Sequence, residues 1–173
     1  MSDRFARQLR LDQFRDGERL DLVADEVERA AIAKRLDLAS LDRLEAHVCL
    51  ERSGEIVRAT GRLLASLDQS CVVTGDPVAA HIDEPFALLF VPEPPVARPD
   101  EEIELGETDC DTVFHDGASI DLGGALADTL ALSLDPYPRS AAADAALKEA
   151  GVLTQEQASP FAVLASLKKS SES

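Results

Sequence analysis

The sequence predicts an α+β fold: an antiparallel β-sheet meander, open or curled into a partly open barrel, packed by one buried helix and one more exposed helix. Three observations carry this. Leu44, Ala46, Val48 and Leu50 alternate with Glu45, His47, Cys49 and Glu51, the period-two signature of a half-buried strand. A turn at Ser53-Gly54 leads into a second alternating run, which makes an antiparallel hairpin. Leu122, Leu126, Leu130 and Leu134 lie four apart, so they form one apolar stripe on a helix.

The elements follow in chain order. Phe5, Arg7, Leu9 and Leu11 share a parity within 4–14, which predicts a short first strand. Residues 21–36 read as a helix. Asp25 with Glu28 three residues on resembles a capping pattern, and the imperfect apolar stripe predicts partial exposure. In the hairpin's second strand, Val57, Ala59, Leu63, Ala65 and Leu67 take one face, while Arg58, Thr60 and Arg62 take the other. After Gly75-Asp76-Pro77, the residues Val78, Ala80, Ile82, Phe86, Leu88 and Phe90 share one parity and predict a third strand of the meander.

Residues 92–111 change character, with clustered prolines followed by acids. Such composition buries too little surface to order itself, so a mobile acidic loop is expected inside a domain spanning 1–139. A short strand is expected within 113–120. Asp121 is placed to cap a helix over 122–134, with Leu132 adding apolar surface beside the stripe and Asp135-Pro136 ending it. Residues 140–173 read as a C-terminal tail. It holds a loose alanine-rich helix at 142–150 and a short amphipathic motif in which Phe161, Leu164 and Leu167 recur beside Lys168 and Lys169.

The bulk charge narrows the function. A net charge of −16 over 173 residues argues against a broad grip on nucleic acid, which needs clustered Lys and Arg. It argues equally against an anionic membrane surface. It suits a basic protein partner, such as a ribosomal protein or a nucleic-acid enzyme, or else serves only solubility. Cys49, Cys71 and Cys110 are too few and too scattered for a disulfide framework, which indicates a reducing compartment. The N-terminus carries charges throughout and resembles neither a signal peptide nor an anchor, so a cytoplasmic location is expected.

The sequence offers no phosphate-binding loop, no dinucleotide glycine pattern and no zinc-protease helix, and Gly117-Ala118-Ser119 lacks the closing glycine of a nucleophile elbow. His47 and Cys49 share a strand face, but structural zinc takes two close ligand pairs and no Cys-x-x-Cys occurs. No catalytic residue, cofactor or metal is therefore expected. An alternative to protein binding is direct contact with RNA through a local basic patch. Arg58 and Arg62 lie on one strand face, with Arg4, Arg7 and Arg10 near the N-terminus.

Four segments carry a family resemblance. They are Cys71-Val72-Val73-Thr74-Gly75-Asp76-Pro77-Val78 with Ile82-Asp83-Glu84-Pro85-Phe86, then Ile120-Asp121-Leu122-Gly123, then residues 130–139 (LALSLDPYPR), then residues 159–168 (SPFAVLASLK). In this order the chain resembles the YceD family of bacterial and plastid proteins. The resemblance implies a role in accumulation of 23S rRNA, hence in large-subunit biogenesis. It also implies a Cys-x-x-Cys pair where this chain has Cys71 and Thr74, which puts a thiol or metal role there in doubt. Tyr137 and Arg139, within the third segment, join Phe161, Leu164, Leu167, Lys168, Arg58 and Arg62 as candidate partner-binding residues. The tail either docks on a partner as a linear motif or packs on its own domain.

Overall fold

Apolar–polar alternation becomes three long strands in the computed structural model, which describes residues 3–5, 8–93 and 111–151. The elements are β1 (Asp3–Arg4), β2 (Gln8–Arg10), β3 (Glu18–Val23), α1 (Glu26–Arg35), β4 (Ser40–Ser53), β5 (Ile56–Ser70), β6 (Pro77–Pro92), β7 (Asp111–His115), β8 (Ser119–Asp121), α2 (Leu122–Ser133) and α3 (Ala143–Glu149). The described residues fall into two compact units. One lies within Met1–Gln69 and Ala79–Pro136. The other joins Ser70–Val78 to the described part of Tyr137–Ser173.

In the first unit a six-stranded open sheet runs in the order β1-β3-β4-β5-β6-β7, and β2 pairs with β8 in a separate ribbon. The expected hairpin is β4–β5, with Leu44 opposite Ala65 and Ala46 opposite Leu63. Its turn residues are Gly54 and Glu55, since Ser53 pairs with Ile56. Gly54 takes φ +65, a conformation glycine adopts without steric cost. Arg52 fastens the loop before β3 to this hairpin: its N–H donates to Asp16 Oδ1 (2.8 Å), its guanidinium reaches the Leu11 and Gly54 carbonyls, and it lies over the Phe14 ring.

Three expectations are corrected. The helix expected over 21–36 is a strand followed by a helix: Leu20 and Leu22 are buried while Arg19 and Asp21 are exposed, so period two governs 18–23. Asp25 then starts α1 with a complete capping box, Glu28 N–H to Asp25 Oδ1 at 2.8 Å and Asp25 N–H to Glu28 Oε2 at 2.9 Å. The helix buries no residue fully, as its weak stripe implied. Second, the sheet is mostly antiparallel as expected, but its two end strands are not: β7 runs parallel to β6, and β1 parallel to β3. A parallel neighbour needs a connection of roughly a dozen residues or more, which the chain between Pro92 and Asp111 supplies. The acidic loop itself, residues 94–110, lies outside the described residues. Third, the strand expected within 113–120 is two strands, split at Asp116-Gly117. The Asp116 carboxylate accepts the Ala118 and Ser119 N–H groups there, and they hold it below the usual carboxylate range.

The core lies on one face of the sheet. Leu44, Leu50, Val57, Leu63 and Phe90 meet Leu122, Leu126 and Leu130 of α2, all fully or almost fully buried. Asp121 Oδ1 accepts the Gly124 N–H at 2.9 Å and caps α2 as expected. Leu132 departs from expectation: it is 79% exposed and adds nothing to the core. Among the described residues no helix is long and apolar enough to cross a membrane.

Candidate functional site

Two of the eight expected site residues, Arg58 and Arg62, fall on the face of the sheet opposite the core. Because β5 alternates strictly, Arg58 and Arg62 both point outward, as the sequence predicts. Neither stands in a basic field. Arg62 Nε donates to Asp83 Oδ1 of β6 at 2.7 Å, and that contact raises its pKa and commits its charge. Arg58 lies opposite Glu51 in the β4–β5 register. One strand further, His47 Nδ1 meets Asp21 Oδ1 at 2.7 Å, so Asp21, His47, Arg62 and Asp83 form a row across four strands with a carboxylate at each end. His47 and Cys49 share an open groove of about 500 Å³ with Arg19, Asp21 and Thr60. Among the described residues no three His, Cys, Asp or Glu side chains gather as metal ligands.

The second unit holds Tyr137 and Arg139. Tyr137 is 72% exposed, and Arg139 is exposed with Nη1 3.9 Å from the Asp144 carboxylate. Beside them the 71–76 turn folds around a buried thiol. Cys71 Sγ accepts the N–H of Thr74 at 3.5 Å and that of Ser140 at 3.3 Å. The Thr74 hydroxyl donates to Asp76 Oδ2 at 2.6 Å and meets the Ser140 hydroxyl at 3.1 Å. Backbone bonds close the turn: Gly75 N–H to the Cys71 carbonyl, Cys71 N–H to the Asp76 carbonyl, and Val72 N–H to the Pro138 carbonyl. Hydrogen bonds from Thr74 and Ser140 favour the anion, and they lower the Cys71 pKa from 9.0 to about 6 against the opposing effect of burial.

Thr74 and Ser140 put hydroxyls and amides around the sulfur where a zinc centre would need further thiolate, imidazole or carboxylate ligands. The arrangement therefore stabilises a thiolate by hydrogen bonding and uses it to join the 71–76 turn to residue 140. Sequence reasoning singled out Cys71 but missed Ser140, far along the chain, because no local pattern links them. Nor does any local pattern foretell the partners of His115, buried at the end of β7, whose Nε2 contacts the Glu55 carbonyl at 2.8 Å while its Nδ1 accepts the Gly117 N–H at 3.0 Å. The remaining candidates, Phe161, Leu164, Leu167 and Lys168, lie outside the described residues, as does Cys110.

The core-side alternation of β5 and β6, the Cys71 turn and the Asp121 cap all fall in one stretch of sequence. A family model described as large ribosomal RNA subunit accumulation protein YceD matches residues 59–168, well over half of the chain. No curated protein and no solved structure matches it. The chain belongs to the YceD family, the large ribosomal RNA subunit accumulation proteins.

Proposed function

We propose that this chain is a non-enzymatic accessory factor in 23S rRNA accumulation and large-subunit biogenesis, and that it works in the cytoplasm through protein contacts. Family membership supports the process. The charge pattern supports the mode. A chain with net charge −16 repels phosphate, and the Arg58 and Arg62 pair on its sheet face is offset, Arg62 by its bond to Asp83 and Arg58 by Glu51 opposite it in register. A basic protein of the assembly or processing machinery complements such a surface and is steered toward it at low ionic strength. The amphipathic motif at Phe161, Leu164, Leu167 and Lys168 supplies a candidate linear contact, with Tyr137 and Arg139 as further candidates.

The test is sedimentation of tagged chain through gradients of cell extract at low and high salt, with crosslinking to identify what it touches. The expected result is salt-sensitive co-migration with large-subunit precursors and crosslinks to a basic protein. A chain cut before Ser159 should associate less. Absence of any ribosomal or rRNA-processing partner at low salt overturns the reading. Retention of rRNA fragments on filters by the purified chain, abolished by Arg58→Ala with Arg62→Ala, would replace it with direct RNA contact.

A further inference from the structure

β6 carries apolar side chains on both faces of its second half. Phe86, Leu88 and Phe90 fill the core, while Ala87, Leu89 and Val91 face the other way and are only half-buried. An unbroken apolar run of this kind is the pattern of a strand covered on both sides. The first half of β6 differs: its outward His81 and Asp83 are polar and contact Ser66 and Arg62. The apolar half continues onto β7. Val91 is in register with Phe114, which is 56% exposed, and the neighbouring hairpin end adds Ile56, 42% exposed.

Beside this patch the sheet ends. β7 is the last strand in the order, so among the described residues one of its edges carries no partner strand. The His115 carbonyl accepts the Glu93 N–H at 2.9 Å, which turns alternate backbone groups of β7 toward β6. Thr112 and Phe114 consequently aim their N–H and C=O groups at the open edge. The rim is acidic. Glu93 and Asp111 flank the strand, and the Glu55 backbone is held against it by the bond from His115, with Arg52 and Arg58 the cations of the adjoining hairpin end among the described residues. An open edge, an apolar shelf and a carboxylate rim together match one kind of occupant.

We infer that the β6–β7 corner is a docking surface for an extended, basic segment of a protein partner, which adds to the sheet along β7, places apolar side chains against Phe114, Val91 and Leu89, and sets lysines or arginines against Glu93 and Asp111. This rests on the reading that the chain works through a basic protein. Main-chain bonds along the edge supply affinity and alternate side chains supply selectivity. The chain's high negative charge accelerates the encounter.

The experiment titrates ¹⁵N-labelled full-length chain with a short peptide of alternating lysine and valine, and with the same peptide carrying glutamate for lysine. The lysine peptide should shift the amides of Thr112, Val113 and Phe114 and weaken with added salt, and the glutamate peptide should leave them unmoved. Phe114→Ser should weaken binding at least roughly tenfold, the loss of one buried aromatic contact. Thr112→Pro removes one outward N–H without touching the ladder to β6, and should weaken binding while preserving the fold. Equal binding of both peptides, or shifts elsewhere on the chain, overturns the inference. Two other occupants would also overturn it: a second copy, seen as concentration-dependent shifts of these amides without peptide, and the chain's own 94–110 segment, seen as proximity of Ile103 or Leu105 methyls to the Phe114 ring. Gradient sedimentation separates this surface from the wider function. If wild type joins large-subunit precursors and Phe114→Ser joins them equally, the surface is wrong and the function stands. If wild type fails to join them, the function falls, and the peptide titration alone decides the surface.

Discussion

Cys71 is the residue whose environment departs furthest from its ordinary chemistry. Its pKa falls from 9.0 to about 6, so the folded thiol is ionised at neutral pH while an unfolded one is not. The stabilisation is therefore fully present above the unfolded value and is lost as pH falls through about 6. Thiolate absorbance at 240 nm should titrate with a midpoint near 6, and the stability difference between wild type and Cys71→Ser should shrink from pH 9 to pH 6. A second residue-scale prediction concerns His115. Because the Gly117 N–H occupies Nδ1, the ring hydrogen sits on Nε2 and donates to the Glu55 carbonyl. His115→Ala strands both backbone groups, and urea denaturation should show a loss of about 2–3 kcal/mol. Neither residue's set of partners is legible in the sequence. A hydrogen bond from residue 140 to residue 71, or from 115 to 55, is a product of topology and leaves no local periodicity.

Elements are more legible, and the misses have a common cause. β4 and β5 alternate over many residues, so their inward and outward faces follow from the order of residue types alone. β3 offers only Leu20 and Leu22 as buried positions in six residues, too short a window to outweigh the helix pattern that follows. The capping box at Asp25 in fact marks where that helix starts. For α2 the leucine spacing is sufficient, and its energetics follow from burial. Leu126→Ala should cost about 2–5 kcal/mol in chemical denaturation, since it empties a fully buried site in the core. Asp121→Ala removes the cap and should cost about 1 kcal/mol. No pattern flags Gly61, yet β5 depends on it. A Cβ there would sit 1.8 Å from the His47 carbonyl oxygen and 3.1 Å from the Phe86 ring. Gly61→Ala must push the paired strands apart, with an expected loss of about 1–3 kcal/mol or more on thermal unfolding.

At the scale of the whole molecule, fold class is readable because the apolar periodicities agree with one another, whereas the direction of β7 is not. Parallel pairing at the sheet's end depends on where the chain between Pro92 and Asp111 returns, and composition does not encode that. Charge is readable as a total but not as a pattern. Arg58 and Arg62 look like a basic patch in sequence, and only the fold brings Asp83 onto Arg62 and sets Glu51 opposite Arg58. Association with a basic partner should accordingly weaken steeply between low and physiological salt, measured as the fraction co-sedimenting. The strand order has a practical consequence for how the family is cut and expressed. The signature begins at residue 59, inside β5, whereas β5 depends on β4, and β4 on β3, for one whole side of its ladder. A clone trimmed to the recognisable region would begin in mid-strand and leave β5 a raw apolar border bearing Leu63, Ala65 and Leu67. Such a fragment should collect in inclusion bodies, while one beginning ahead of β2 should remain in the supernatant. The recognisable part of the sequence is a label, and the part upstream of it is what makes that label fold.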